Sequence, residues 1–262
     1  MSARDEVRLE ISDRVAVLTV DRPQARNAIA LATMGELGDA LSEVSGSDAS
    51  VLVVTGEGDR AFVSGGDLKD LDRLRALGEA EAMAGKMRGV LDSLAALPIP
   101  VIAAVNGHAL GGGAEVAVAA DMRVAAADVR IGFTQSTLGI MPAWGGVERL
   151  TELVGRSRAM LLLTSGRAVD ALRAQEIGLV DEVIERAHFE EGWRSLAAAI
   201  ASAPAQVVRS IKAVVAAVRP TVHPATATDA LRKFAELWIA PDHWRLAEEA
   251  DSRRRLRGVA EA

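Results

Sequence analysis

The chain has 262 residues, half of them apolar, and a formal net charge of −6, so it can bury a core and is a poor candidate for a general nucleic-acid-binding protein. It has no cysteine and no tyrosine, which excludes disulfides, thiolate metal ligands, a cysteine nucleophile and a phenol acting as general acid. No stretch is long and apolar enough to span a membrane, and we expect a soluble, cytoplasmic protein that binds neither nucleic acid nor membrane.

Short apolar, β-branched runs that stop at turn residues predict strands, and helical spacing of apolar residues predicts helices between them. In chain order, we predict a strand at 15–23, a helix at 31–44, a strand at 51–58, a helix at about 80–97, and strands at 101–107, 122–127 and 130–133. From about Gly145 onward the pattern is helical almost without interruption. The sequence therefore predicts an α/β core followed by a helical C-terminal part, which either pads the core or makes subunit contacts.

Two glycine-rich turns interrupt this pattern. In AFVSGGDLKDL, a strand-like stretch runs into Gly66, and a helix opens at Asp67. In VIAAVNGHALGGGAEVAVAAD, the three glycines at 111–113 lead into a helix that carries Glu115 among small apolar residues. Glycine lets the backbone approach a ligand closely, and the first turn of a helix leaves N–H groups without partners, so each turn can aim a donor at an anion. The alternatives are a capped tight turn for the first and close helix packing for the second.

Three stretches, in this order and spacing, resemble the enoyl-CoA hydratase/isomerase family, also called the crotonase superfamily: AFVSGGDLKDL, AAVNGHALGGGAEVAVAAD and STLGIMPAWGGVERL. DRPQARNAI near the start and GRAVDALRAQEIGLVDEVI at 166–184 match the same pattern, so the resemblance covers nearly the whole chain. It implies a core of repeated ββα units over residues 1–200 and a helical region over 201–262 that makes trimer contacts, commonly in a dimer of trimers. It also implies a coenzyme A thioester as substrate and no separate cofactor.

The resemblance also assigns roles to residues. In this family, two backbone N–H groups form an oxyanion hole for the thioester oxygen, and motif matching places them on Gly66 and Gly112. Gly112 lies at a predicted helix N-terminus, where the helix dipole favours negative charge. Glu115 takes the role of acid or base, and burial should raise its pKa and ease proton exchange near neutral pH. Contacts with coenzyme A or the acyl group fall to Arg26, Ser64, Asp67, Leu68 and Trp144.

Each of these contact residues has a plainer alternative. The alternatives are a solvated arginine for Arg26, turning or packing for Ser64 and Leu68, a helix cap for Asp67 and core packing for Trp144. His108, beside the glycine run, is a further candidate for catalysis, although the family varies at that position. In the helical tail, we expect His223 and His243 at the surface and the charged run at 251–257 on a solvated helix face, with phosphates of a neighbouring subunit's coenzyme A as the alternative for that run.

Two positions depart from the hydratases of the family. Gln135 stands where typical hydratases have a second glutamate, and an amide cannot usefully exchange a proton at neutral pH. Hydration uses two carboxylates to hold and split a water, so we expect hydration to be handicapped in this protein. In MPAWGG, Ala143 and Trp144 stand where hydratases tend to have small residues, and Trp144 should reshape or narrow the acyl pocket.

This combination resembles the members of the superfamily that decarboxylate methylmalonyl-CoA or ethylmalonyl-CoA. In that reaction the thioester enolate forms by loss of CO₂, and a protonated Glu115 would supply the proton to the α-carbon. One alternative is an enoyl-CoA hydratase or a double-bond isomerase, since isomerisation needs only one acid–base group. The other is a catalytically silent or RNA-binding member, against which the negative net charge and the retained Glu115 argue.

Overall fold

The computed structural model describes residues 6–218 and 224–260. Its strands are β1 (Val7–Ser12), β2 (Val15–Val20), β3 (Val51–Gly56), β4 (Ala61–Val63), β5 (Val101–Val105), β6 (His108–Leu110), β7 (Met122–Ala126), β8 (Arg130–Gly132), β9 (Ala168–Asp170) and β10 (Glu182–Ile184). Its α-helices are α1 (Leu31–Gly46), α2 (Leu68–Leu71), α3 (Leu77–Ala96), α4 (Gly112–Ala119), α5 (Gly146–Val154), α6 (Arg156–Ser165), α7 (Ala171–Glu176), α8 (Phe189–Ser202), α9 (Ala205–Val218), α10 (Pro224–Trp238) and α11 (Pro241–Ala260). Short 3₁₀ helices lie at Pro23–Ala25, Thr134–Leu138 and Arg186–His188.

The strands form two sheets. The larger has the order β1-β2-β3-β5-β7-β10 and the smaller the order β4-β6-β8-β9. Along the chain, β3 and β4, then β5 and β6, then β7 and β8 each send one strand to the larger sheet and the next to the smaller, and helices follow each pair. Most neighbouring strands are parallel, and β1 with β2 and β8 with β9 are antiparallel. The predicted α/β core of repeated ββα units is confirmed.

The central strands explain why the sequence pattern was informative. β3 is buried along almost its whole length and β5 along all of it, as expected for parallel strands covered on both faces, and such strands appear in a sequence as uninterrupted apolar runs. The strands predicted at 15–23, 51–58, 101–107, 122–127 and 130–133 and the helices predicted at 31–44 and 80–97 are all present, with boundaries that differ by a few residues.

Four strands were not predicted. β1 alternates half-buried and exposed residues, so it contains no apolar run. β6, β9 and β10 have three residues each, which is too short to show a period, and they form because neighbouring strands provide their hydrogen-bonding partners. The prediction of nearly continuous helix from Gly145 is therefore wrong at β9 and β10. The division at residue 200 stays a prediction.

The C-terminal helices pack back onto the core. Lys212 on α9 donates to the carbonyl of Ile99 and pairs with Asp121, both at 2.7 Å. These contacts hold α9 against the segments that lead into β5 and β7. The Trp238 indole on α10 donates to the carbonyl of Leu74 at 2.8 Å. Within residues 6–218 and 224–260, no helix is both long enough and apolar enough to cross a bilayer. The cytoplasmic location remains a prediction.

The expectation for His243 is wrong, because its side chain is fully buried. Its ring packs between Trp238 and Trp244, and its Nδ1 donates to the carbonyl of Leu138 at 2.6 Å. Burial lowers the pKa of His243, which favours the neutral ring. The helical spacing of α11 did not indicate this burial, since it arises from tertiary packing of His243 against Leu138 and the two tryptophans. His223 lies outside the described residues.

The charged run at 251–257 lies on α11. Arg255 pairs with Asp251 one turn earlier at 2.6 Å, and both side chains are exposed to solvent, as expected for a solvated helix face. The side chains of residues 254, 256 and 257 lie outside the described part of the structure.

Candidate active site

The two glycine-rich turns lie side by side. Gly65 has a φ of +106°, and a Cβ built on it would lie 3.2 Å from the backbone nitrogen of Gly112. Gly66 forms a parallel bridge with Ile29, in which the Ile29 N–H donates to the Gly65 carbonyl and the Asp67 N–H donates to the Ile29 carbonyl, each at 2.8 Å. This pairing leaves the N–H of Gly66 facing away from Ile29.

Both glycines assigned to the oxyanion hole carry free donors. The N–H groups of Gly66 and Gly112 have no acceptor within the described part of the chain. Gly112 is the first residue of α4, where an N–H has no intrahelical partner. The arrangement therefore offers two backbone donors from neighbouring turns, one of them at a helix N-terminus. It is compatible with the predicted oxyanion hole, whose role remains a prediction.

Steric contacts explain the glycines at 112 and 113. A Cβ at Gly113 would lie 1.7 Å from the carbonyl oxygen of Val63, so α4 packs directly on the end of β4. A Cβ at Gly112 would lie 2.2 Å from Cζ3 of Trp144, so the indole ring covers this residue. Close helix packing thus accounts for both glycines, and the approach of the backbone to a ligand stays a prediction.

Glu115 lies in the first turn of α4 and is 2 % exposed. Its Oε2 accepts hydrogen bonds from the backbone N–H groups of Trp144 at 2.8 Å and Gly146 at 2.9 Å, and its Oε1 accepts one from Nε2 of Gln135 at 3.0 Å. Burial raises the pKa of Glu115 to about 7, because desolvation outweighs the opposing effect of these bonds and of the Arg149 charge. A carboxyl with this pKa can accept or give a proton near neutral pH.

Gln135 lies on the 3₁₀ helix Thr134–Leu138 and is 6 % exposed. Its amide nitrogen bonds Glu115, whereas its Oε1 is buried and finds no partner among the described residues. Buried acceptors in native proteins are normally satisfied, so a free one beside a carboxyl is a position for a water or a substrate group.

The Trp144 ring lies against both glycine turns. A Cβ on Gly66 would lie 3.8 Å from the Trp144 ring, which therefore contacts both glycine turns while being 6 % exposed. This burial matches the core-packing alternative for Trp144, and its narrowing of an acyl pocket stays a prediction.

The remaining candidates lie around the first turn or at the surface. Asp67 accepts from the Lys69 N–H at 3.2 Å as the cap of α2 and pairs with Arg22 at 2.9 Å, which matches the helix-cap alternative. Arg26 is exposed just before the strand-like segment that pairs with Gly66, and Ser64 and Leu68 are half-buried beside the same turn. His108 is exposed, and its Nδ1 accepts from the Arg130 N–H at 3.1 Å.

Sequence reasoning missed Arg149, which is buried in this region. Its Nη1 donates to the carbonyl of Trp144 at 2.8 Å, and its Nη2 pairs with Asp92 on α3 at 2.5 Å. The signal was present, because Gly146, Arg149 and Leu150 share one helical face of α5 and an arginine on an apolar face needs buried partners. In the part of the chain that the structure covers, no three His, Asp or Glu side chains are grouped to hold a metal ion.

Taken as chemistry, this site can stabilise negative charge that develops on an oxygen and can move a proton beside it. Free backbone N–H groups serve the first purpose and a buried carboxyl with a pKa near 7 serves the second. Fold and site together define the class of protein as an α/β enzyme.

The chain belongs to the enoyl-CoA hydratase/isomerase family, whose model matches residues 10–240. It is 38 % identical to the crotonyl-CoA hydratase of Syntrophomonas wolfei over 212 residues, which cover 80 % of this chain and 81 % of the relative. It is 36 % identical to the short-chain-enoyl-CoA hydratase of Clostridium acetobutylicum over 217 residues, with coverage of 80 % and 81 %.

Solved structures agree in fold. An enoyl-CoA hydratase from Bacillus anthracis superposes with a TM-score of 0.79 at 30 % identity, covering 95 % of this chain and 96 % of that one. A carnitinyl-CoA hydratase from Mycobacterium avium gives 0.83 at 30 % identity, covering 96 % and 97 %. The resemblance in the sequence is thus confirmed at the level of family and fold. These relatives are hydratases by name, so they favour the hydratase alternative over the decarboxylase hypothesis.

Proposed function

We propose that the protein adds water reversibly to the double bond of a short-chain enoyl-CoA. The observation that supports this most is the position of Glu115, a buried carboxyl with a pKa of about 7 that is bonded to an amide whose own oxygen is free. The hydratases among the relatives support the same reaction. Water supplies both the oxygen and the proton, so the reaction needs no cofactor.

In the proposed mechanism, the thioester oxygen accepts hydrogen bonds from the N–H groups of Gly66 and Gly112. A water donates one hydrogen bond to Oε1 of Gln135 and the other to the Glu115 carboxylate. As the water oxygen bonds to the β-carbon, Glu115 takes its proton and the double-bond electrons move onto the thioester as an enolate. Glu115 then returns the proton to the α-carbon. The helix dipole of α4 and the two backbone donors are already in position, so they stabilise the enolate oxygen without rearrangement of the protein.

The amide at position 135 sets an expectation for rate. A second carboxylate would share the proton transfer, and a positioned acid–base group contributes roughly 10²–10⁴ in rate. Gln135 can orient the water but cannot take its proton. We therefore expect slower hydration than in a relative with two carboxyls.

Trp144 sets an expectation for the substrate. Its ring lies against both glycine turns and takes up space that an acyl chain leaving the oxyanion hole would need. A four-carbon chain is accordingly a better substrate than a long one. Arg26, exposed beside the first turn, is proposed to meet the phosphates of coenzyme A.

A second candidate is double-bond isomerisation of a 3-enoyl-CoA. The site holds one proton-transfer carboxyl, and isomerisation requires only removal and return of a proton by one group. Decarboxylation of an alkylmalonyl-CoA remains as an outcome that the experiment must distinguish.

We further propose that the chain assembles with copies of itself, as a trimer or a dimer of trimers. On α9, Val207, Ile211, Val214, Val215 and Val218 are exposed at helical spacing, while Lys212 on another face of the helix bonds the core. An apolar stripe of this length is typical of a surface that another subunit covers.

The test is a turnover panel for the purified protein with crotonyl-CoA, a 3-enoyl-CoA and methylmalonyl-CoA, with products resolved by chromatography. Glu115→Gln, prepared in the same way, is the control for contaminating activity. We expect 3-hydroxybutyryl-CoA from crotonyl-CoA with the wild type and a loss of roughly 10² or more in the variant. Decarboxylation without hydration would contradict the proposal and restore the decarboxylase hypothesis.

A further inference from the structure

Arg149 links the site to a partly buried ion-pair cluster between α3 and α5, in which the Asp92 side chain is 50 % exposed. Arg149 pairs with Asp92 at 2.5 Å, Arg88 pairs with Glu148 at 2.8 Å, and Arg88 also lies 3.5 Å from Asp92. Two positive and two negative charges therefore balance within the cluster. Of the two arginines, Arg149 is the one that reaches the turn beside Glu115, through its bond to the carbonyl of Trp144.

The turn at 144–146 is shaped around this guanidinium. Gly145 has a φ of +90°, and a Cβ on it would lie 2.1 Å from Nη1 of Arg149. The residues on either side of Gly145 supply the two backbone N–H groups that bond Oε2 of Glu115. A Cβ on Gly146 would in turn lie 2.5 Å from Cγ of Glu115, so the turn and the carboxyl fit closely. The carbonyl of Trp144 is thus held from one side while its N–H holds the carboxylate.

We infer that Arg149 is a positioning residue for Glu115, which it serves by fixing the backbone turn that binds the carboxylate and by placing a positive charge near it. This inference rests on the proposed role of Glu115 in proton transfer. The guanidinium suits the task because its planar fork can bond a carbonyl and a carboxylate at the same time, which a lysine ammonium at the end of a flexible chain does less well.

The other polar and charged groups that the structure describes near Glu115 do not supply a second cation to it. Gln135, which bonds Glu115, is neutral, and Arg88 and Asp92 on α3 pair with each other in the cluster. On β7, Arg123 lies at the far end of α4, where its Nη1 donates to the Ala120 carbonyl at 2.9 Å. Within residues 6–218 and 224–260, Arg149 is therefore the cation that acts on Glu115, and its charge favours the carboxylate form.

The experiment measures the titration of Glu115 without substrate, by infrared difference spectroscopy of the protonated carboxyl band. The band is assigned by its absence in Glu115→Gln. Arg149→Met should move the titration midpoint upward by about one pH unit, because the carboxylate loses a cation and its donors lose their anchor. Arg149→Lys, which keeps the charge, should move the midpoint less but still lower kcat/KM for crotonyl-CoA.

Arg88→Met is the matched control, since it removes a partly buried arginine from the same cluster without touching the turn at Trp144. It should leave the Glu115 midpoint where it is in the wild type. An equal shift in the two methionine variants, or none in Arg149→Met, would overturn the inference. If Arg149→Met fails to fold, a wild-type midpoint together with wild-type kcat/KM in Arg149→Lys would overturn it. Absence of turnover in the wild type would count against the proposed function alone, because the titration needs no catalysis.

Discussion

At the scale of single residues, the molecule places an energetically costly group at the centre of its site. Among the described residues, Glu115 accepts hydrogen bonds from two backbone N–H groups and one amide, and desolvation raises its pKa to about 7 from an ordinary value near 4.5. The folded protein therefore prefers the protonated carboxyl, whereas the unfolded chain releases the proton at lower pH. The stability contributed by the neutral form is complete below about pH 4.5 and is lost as the pH rises through about 7.

Glu115→Gln should accordingly be more stable than the wild type in alkaline solution. The neutral amide is isosteric, and Gln135 can turn its own amide to donate or accept as required. Between about pH 5.5 and pH 8.5, the wild type should lose about 2 kcal/mol of unfolding free energy relative to the variant. Urea unfolding of both proteins at the two pH values measures this difference. An equal pH dependence would show that Glu115 is ionised in the folded protein with an ordinary pKa.

Gln135→Glu should raise crotonyl-CoA hydration, by up to roughly 10²-fold, since the introduced carboxylate can take the proton that the amide cannot. It should lower any action on an alkylmalonyl-CoA, because two carboxylates would repel the free carboxylate of that substrate. Gln135→Met is the control, as it keeps the length of the side chain and removes its oxygen, and it should reduce hydration. Steady-state rates on both thioesters check the outcome, and faster hydration in Gln135→Met would contradict the role of the amide in holding water.

At the scale of elements, the N-terminus of α4 connects the two sheets to the site. The helix begins so close to β4 and to Trp144 that side chains at 112 and 113 have no room. The order of glycine turn, helix and carboxyl could be predicted from the sequence, because glycine runs and a charge within an apolar segment are local signals. The partners of Glu115 at Trp144 and Gly146 could not be, because they are backbone groups about 30 residues away that the fold brings together.

Gly112→Ala should lower the free energy of unfolding by about 1–3 kcal/mol and abolish most of the turnover, because its methyl group meets the Trp144 ring. A second substitution, Trp144→Leu, should restore part of both, since it removes the ring that the methyl group meets. Gly113→Ala is the contrasting variant, because its methyl group meets the carbonyl of Val63 and no side-chain change can relieve that contact. Thermal unfolding and crotonyl-CoA turnover for the single and double variants provide the test. Equal rescue at 112 and 113 by Trp144→Leu would contradict the steric account.

At the scale of the whole molecule, the sequence predicted the α/β core and the family well, and it predicted burial in the tail poorly. Apolar runs in the sequence predicted the long parallel strands. The three-residue strands β9 and β10 were not predicted, because their formation depends on hydrogen bonds to neighbouring strands. His243 was misplaced for the same reason, since its burial arises from tertiary packing against Leu138 and two tryptophans. For Arg149, the sequence pattern of α5 indicated a buried helical face. It did not indicate which groups Arg149 would bond, because the fold brings those groups together.

The exposed stripe on α9 leads to a prediction about assembly. Ile211→Asp combined with Val215→Asp places two charges one turn apart on this stripe and should dissociate the proposed oligomer toward monomers. The control is Ser195→Asp combined with Ala199→Asp, the same spacing on the exposed face of α8. Sedimentation equilibrium of the wild type and both variants measures the mass. A monomeric wild type would contradict self-assembly, and an oligomer unaffected by the α9 variant would place the interface elsewhere.

The measurement that tests the central claim most directly is the pH dependence of kcat/KM for crotonyl-CoA in the wild type, with Glu115→Gln as control. As the base that takes a proton from water, Glu115 must be ionised, so hydration should rise with pH and level off above about pH 7. The residual rate of the variant should lack this rise. An enzyme that uses Glu115 as an acid toward an enolate left by loss of CO₂ would show the opposite trend on its own substrate, with activity falling above about pH 7. Absent hydration, together with alkylmalonyl-CoA decarboxylation that falls with pH in this way, would contradict the account.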